Sequence, residues 1–274
     1  MVDLSLLDIP MLLEYQFFQF ALVGGAIAAF TCAWVGVFLI LRQEAMIGDG
    51  VAHTAFGGIA LGLLLGVSPI LTALIVSVLA VTGIYYMRAK GLARSDSAIA
   101  VMLAIGFSGG LIIISLAGGF NVDLFSYLFG SILTITASDL VIVSVLGIST
   151  LAFLGVFYKE LLSMTFDERT SKLLGIPVEP LALSFNVLVA ATIVLSIKVV
   201  GIVLVVALLV LPGLSALQLS LSFRKTILAS MAFGMASMVA GLLLSAVYDV
   251  ATSGVIVFLA AMVFGLTAAY KRLG

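Results

Sequence analysis

Apolar residues run along this chain in blocks separated by short polar or glycine-proline breaks. The blocks fall at about 16–41, 47–66, 69–87, 97–117, 138–157, 180–197, 200–220, 226–245 and 253–270. A helix needs about 20 apolar residues to cross the hydrocarbon core of a bilayer, so the blocks predict nine spanning helices, or eight if one short pair turns back. A further apolar stretch, Leu124 to Leu133, is too short to cross and contains Gly130. It predicts a re-entrant or interfacial helix on the outer side, which is allowed where protein shields the backbone. The longest polar stretch, Tyr158 to Pro180, is too short to form a separate domain. Residues 1–274 therefore read as a single all-α, polytopic helical bundle.

Composition makes lipid the solvent for much of this surface. The chain is 64% hydrophobic and 9% charged, against roughly 25% charged in soluble domains. A net charge of −1 without a basic patch gives no reason to expect a nucleic-acid partner. Lys and Arg collect on the cytoplasmic side of membrane proteins. With the N-terminus outside, nine crossings put Arg42, Arg88, Lys90, Arg94, Lys159, Arg169, Lys172, Arg224, Lys225, Lys271 and Arg272 inside and only Lys198 outside. The pattern predicts a multi-pass protein of the cell (inner) membrane with a cytoplasmic C-terminus. The first residues carry Asp3, Asp8 and Glu14 but no basic residue. A cleaved signal needs a basic start, so the first block is expected to remain as a span. Tyr127, Tyr158 and Tyr270 fit an interfacial belt, and Pro212 is expected to kink or end its span. The single cysteine, Cys32, excludes an internal disulfide or a cysteine zinc site and reads as a small packing residue.

Charges inside spans are costly and default to functional candidates. Met46-Ile47-Gly48-Asp49-Gly50-Val51-Ala52-His53 holds the only histidine of the chain. Asp49 and His53 stand four residues apart and share one helix face. A carboxylate and an imidazole suit zinc or manganese, and one such pair is half a site that a second copy would complete. The same pattern also fits a helix-start aspartate and a hydrogen-bonded interhelical histidine. Beside this face, Gly50, Thr54, Gly58, Gly62 and Gly66 repeat at every fourth position, a ladder that allows close helix packing.

Thr165-Phe166-Asp167-Glu168-Arg169-Thr170-Ser171-Lys172-Leu173-Leu174-Gly175 predicts a short amphipathic helix on the cytoplasmic side. Thr165 is its expected cap, Glu168 takes the capping-box position and Gly175 its C-terminal end. Such a helix either docks on a soluble partner or lies among headgroups. Gly106-Phe107-Ser108-Gly109-Gly110 matches G-x-S-x-G, and its first four residues resemble the serine motif of rhomboid proteases. His53 precedes Ser108, whereas the rhomboid base follows its serine, and no strand makes a nucleophile elbow. Gly106 and Gly110 read as a helix contact instead.

Four stretches together carry a family resemblance. They are Met46 to His53 followed by Gly58-Ile59-Ala60-Leu61-Gly62; Tyr127-Leu128-Phe129-Gly130; Lys159-Glu160-Leu161 with Phe166-Asp167-Glu168; and Val200-Gly201 through Pro212. In this order the chain resembles the membrane subunits of ATP-binding-cassette importers for zinc, manganese or iron, and the resemblance covers nearly its whole length. It implies a fold of the type II importer kind, and a homodimer, or occasionally a heterodimer, on two cytoplasmic ATP-binding subunits. An extracytoplasmic metal-binding protein would deliver the ion, with no permanently bound cofactor. Asp49 and His53 match the metal positions of the family. Phe166, Asp167, Glu168, Arg169, Leu173 and Gly175 lie in the segment matching its ATPase-coupling helix. The Gly-Asp-x-x-x-His spelling looks closest to the zinc branch, with manganese next. The chain itself has no G-x-x-x-x-G-K-[ST] phosphate loop. An importer of this kind would bind its ion through a neutral His53, so uptake is expected to fall on acidification. A channel or proton-coupled transporter, an intramembrane serine enzyme and a scaffold are the competing classes.

Overall fold

The computed structural model describes residues 14–119, 127–128, 130 and 135–273. Its helices are α1 (Gln16–Leu41), α2 (Met46–Leu65), α3 (Pro69–Ala89), α4 (Ser95–Leu116), α5 (Ala137–Val156), α6 (Tyr158–Phe166), α7 (Glu168–Leu173), α8 (Val178–Val200), α9 (Ile202–Gln218), α10 (Phe223–Tyr248) and α11 (Thr252–Leu273). Among the described residues there is no strand. Eight of these helices are long and apolar enough to cross a membrane. The expected re-entrant helix at 124–133 lies mostly outside the described residues; Tyr127 and Leu128 are helical.

The block at 200–220 forms α9, which has only 17 residues. At about 1.5 Å per residue it is close to 26 Å long, slightly under the thickness of a bilayer core. Its length matters little to lipid because α9 packs on α1, α10 and α11 and buries Leu204, Val205, Leu208 and Leu209. Pro212 neither ends α9 nor lies at its edge; the helix continues through it to Gln218. Gly201 alone joins α8 to α9, at φ 83° and ψ 161°, a region open only to glycine.

Helices α1, α2 and α8 form the buried centre, while α4 and α11 expose most of their apolar surface. Small residues set the spacing. The Ser230 hydroxyl on α10 donates to the Ala33 carbonyl on α1 at 2.9 Å. A Cβ added to Gly213 would stand 2.6 Å from Ile40 Cδ1. Helix α2 packs on α3 and α4, α1 packs on α9 and α10, and α8 touches both groups.

The two ends of the bundle differ in chemistry. At one end the buried Glu44 carboxylate accepts from Arg42 Nε at 3.1 Å and from Arg88 Nη1 at 2.6 Å, tying the α1–α2 turn to α3. Arg42 also lies 5.6 Å over the Phe185 ring, and Phe38 packs edge-on against Phe185 and Phe223. Tyr158 stacks at a tilt on Phe223, with Arg224 5.9 Å over its own ring. Tyr158 therefore packs into this basic end. At the other end Lys198 meets Asp139, and a Cβ on Gly130 would stand 2.8 Å from the Val200 carbonyl.

Candidate functional site

Helix α2 is buried along most of its length. From Ile47 to Ala60 every residue is buried except Asp49 and His53. Their side chains are 33% and 32% exposed, and Asp49 Oδ1 lies 3.4 Å from His53 Nε2. The helical repeat brings them together, and the acidic side chain sits in the first turn, where the helix dipole favours negative charge. His53 also meets Phe107 of α4, ring centroids 5.1 Å apart at 82°. Among the described residues no third His, Cys, Asp or Glu joins the pair in a group able to hold a metal ion. One chain thus presents two adjacent donors on a face left open by its own fold.

The glycine ladder divides by position. A Cβ on Gly58 would lie 2.5 Å from Ala73 Cα on α3, one on Gly62 would strike Thr72 and Pro69, and one on Gly50 would stand 2.7 Å from Ile99 of α4. Gly66 is different, and its expected packing role is corrected. It stands past the helix end at φ 65° with nothing within 4 Å of an added Cβ. There it turns the chain, with the Val67 N–H closing on the Gly62 carbonyl at 3.0 Å.

Gly106 and Gly110 of α4 face α2: added Cβ atoms would stand 2.6 Å from Thr54 Cα and 3.0 Å from Gly57 Cα. The exposed Ser108 hydroxyl donates to the Ala104 carbonyl of its own helix, and His53 engages Asp49 and Phe107 instead. Ser108 and His53 therefore form no nucleophile–base pair.

The polar segment after α5 folds as two short helices, α6 and α7. Thr165 is not the cap, because it lies within α6 and its hydroxyl returns to the Leu161 carbonyl at 2.7 Å. Asp167 is extended at φ −151° and caps α7, its Oδ1 accepting from the N–H groups of Arg169 and Thr170 at 2.9 and 3.1 Å. The Thr170 hydroxyl adds a third bond at 2.6 Å. That hydroxyl first, then the two amides, holds the Asp167 carboxyl below the usual aspartate range. Glu168 thus follows the cap instead of answering it three residues on. Gly175, at φ 84°, ends the turn, with the Ile176 N–H on the Ser171 carbonyl at 3.1 Å. Lys172 bonds Glu179 at 3.1 Å with Glu168 at 3.6 Å, and Glu179 foremost raises the lysine above its ordinary range. Ser171 is buried and bonds Ser163 at 2.7 Å, so α7 is fixed on α6. Outward, Phe166 is 73%, Leu173 87% and Leu174 71% exposed. Arg169 and Glu168 are exposed beside them.

Sequence reasoning passed over two features of these ends. Glu44 stands among loop charges two residues from Arg42, and only the fold brings Arg88 of α3 to it. Asp139 stands three residues after Thr136, a spacing typical of a helix cap, and the two form a capping box; its role toward Lys198 has no local signal.

Residues 14–271 match the model of the ABC 3 transport family. The manganese transport system membrane protein MntC of Halalkalibacterium halodurans is 33% identical over 255 residues, covering 93% of this chain and 87% of that one. The high-affinity zinc uptake system membrane protein ZnuB of Haemophilus influenzae is 29% identical, covering 92% and 96%. The solved structure of PsaBC from Streptococcus pneumoniae in complex with Fab superposes with a TM-score of 0.85 at 32% identity, over 94% of this chain and 93% of that one.

Proposed function

The chain belongs to the ABC 3 transport family, a multi-pass membrane permease of a metal importer, and on that premise we propose that it carries a divalent first-row ion past Asp49 and His53 into the cytoplasm. The observation that carries this reading is the open pair itself: two metal-binding side chains, 3.4 Å apart, on the only unburied positions from Ile47 to Ala60. Two ligands on one ion with bonds near 2.1 Å at a tetrahedral angle stand about 3.4 Å apart. The pair is too few for a closed site, so a second copy related by a two-fold axis would supply the other half. A homodimer is therefore the assembly we favour. Incomplete coordination by each chain also suits a path that must release its cargo.

Manganese leads as the cargo because relatives named for manganese include MntC at 33% identity. Zinc is the second reading, favoured by the Gly-Asp-x-x-x-His spelling and by the near-tetrahedral spacing of the pair. The exposed Phe166, Leu173 and Leu174 of the α6–α7 unit form the docking face for separate cytoplasmic ATP-binding subunits, and an extracytoplasmic metal-binding protein delivers the ion. The basic end of the bundle then lies in the cytoplasm, with Lys271 and Arg272. Closure of the ATPases would shift α7 and tilt the two permease copies about their shared axis, opening the path to each side in turn.

The test is accumulation of manganese and zinc in cells carrying Asp49→Asn or His53→Ala, with membrane levels of each variant measured. Both variants should reach the membrane and lose at least about tenfold of the uptake. Wild-type accumulation in both would remove the pair from the path, and uptake that persists after ATP is depleted would favour a channel or secondary transporter.

A further inference from the structure

His53 is the single imidazole of the chain, and its ring is held from two sides. Asp49 Oδ1 stands 3.4 Å from Nε2. On another side the Phe107 ring meets the imidazole in a T-shaped contact. Phe107 is itself anchored: its second aromatic neighbour, Phe56, is 5.4 Å away at a tilt of 34° and fully buried. The α4 backbone that carries Phe107 is set close to α2 by Gly106 and Gly110, one on either side of it in sequence. Added Cβ atoms there would meet Thr54 Cα at 2.6 Å and Phe56 Cδ1 at 2.9 Å. The Thr54 hydroxyl also reaches the Met102 carbonyl of α4 at 3.4 Å. Glycines, a buried ring and an interhelical bond therefore fix where the Phe107 ring lies.

We propose that Phe107 is a positioning residue for the ion-binding pair: its ring holds the His53 imidazole in the rotamer that faces Asp49. This rests on the reading of Asp49 and His53 as the ion path. A side chain on a partly open helix face can occupy more than one staggered χ1 well, and an unrestrained imidazole would leave Asp49 for part of the time. The ion would then have to gather its ligands and lose binding free energy to their ordering. An edge-to-face aromatic contact is strong enough to restrict such a ring, and groups around metal ligands set ligand orientation in the same manner. Phe107 touches no ion and supplies no ligand. The motif Gly106-Phe107-Ser108-Gly109-Gly110 thereby gains a role that no serine chemistry requires.

Because His53 is the only histidine, the permease labelled with 15N-histidine and assembled with unlabelled ATP-binding subunits in lipid nanodiscs gives one imidazole to follow. Zinc ion, being diamagnetic, is the probe. In the wild type the imidazole signal should move to a bound position as zinc is added. Phe107→Leu keeps an apolar side chain and removes the ring; it should weaken zinc binding about three- to tenfold and broaden or split the free imidazole signal. Phe107→Tyr, which restores an aromatic ring, should return both readings to near wild type. Gly58→Ala disturbs the packing of α2 on α3 and leaves the α4 ring in place; a merely structural role for Phe107 would make it equivalent to Phe107→Leu in zinc affinity. The proposal is overturned if Phe107→Leu binds zinc as tightly as the wild type with an unchanged signal, or if Phe107→Tyr fails to restore affinity. A wild-type signal indifferent to zinc would instead remove the ion site itself and this inference with it.

Discussion

Asp139 and Lys198, 59 positions apart in the sequence, form an ion pair where α5 begins and α8 ends. The carboxylate is 8% exposed and also accepts from the Thr136 hydroxyl at 2.6 Å and its amide at 3.0 Å. The lone basic residue of this end thus has a built partner, which explains why an otherwise one-sided charge distribution tolerates it.

Removing one member should cost more than removing both. Lys198→Ala leaves a mostly buried carboxylate with only its cap bonds, and is expected to lower stability by roughly 2–3 kcal/mol, somewhat under the range for fully buried pairs because the lysine is partly wet. The double variant Asp139→Asn/Lys198→Met should recover more than half of that loss. Thermal unfolding of the purified protein in detergent measures both; equal losses in the two variants would assign the pair no coupling.

Two glycines of similar helical setting should respond oppositely to one added methyl. Gly58→Ala places a Cβ 2.5 Å from Ala73 Cα, so α2 and α3 must part, with an expected loss of about 1–3 kcal/mol. Gly109→Ala meets open space and should stay within about 1 kcal/mol of wild type. Membrane abundance and unfolding temperature report the difference.

The cap on α7 should depend on pH in one direction. Asp167 is held below the ordinary aspartate range, so its contribution is complete above about pH 4 and is lost as the pH falls through the lower, folded value. Protection of the Arg169 and Thr170 amides, taken relative to the intrinsic exchange rate at each pH, should fall only below that point. Asp167→Ala should show the fast exchange at neutral pH, and Asp167→Asn only part of it. Exchange in Asp167→Ala that matches the wild type at neutral pH would show that the cap does not hold α7.

The exposed apolar face of the α6–α7 unit should bind the ATPases. Leu173→Glu and Phe166→Ala are expected to reduce co-purification of the ATP-binding subunits at least about fivefold with permease abundance unchanged. Intact co-purification would place Leu173 among lipid headgroups instead.

The number and order of helices were legible because lipid imposes a length on each apolar block, and nearly every block became one helix. The adjacency of Asp49 and His53 was legible for a similar reason: charge at a fixed i, i+4 spacing stands out against an apolar helix. Contacts across the bundle were not. Nothing near Phe107 in sequence points to His53, 54 positions before it, and Glu44 gives no local sign of Arg88. The cap of α7 differs from the expected Thr165 for a local reason. Thr165 and Asp167 are both good cap residues, and the choice fell to whichever left the helix; α6 runs on through Thr165 to Phe166, and Asp167 is the first extended residue. Gly66 shared the period of its ladder but not its surroundings, because the helix had already ended.

Cys32 is fully enclosed, its sulfur 3.9 Å from the Ser196 hydroxyl, and the sequence has no other thiol. Oxidised glutathione or a thiol-modifying reagent reaching either face of the membrane therefore finds no accessible thiol while the bundle is closed. A disulfide between two copies would need Cys32 to leave its enclosure first.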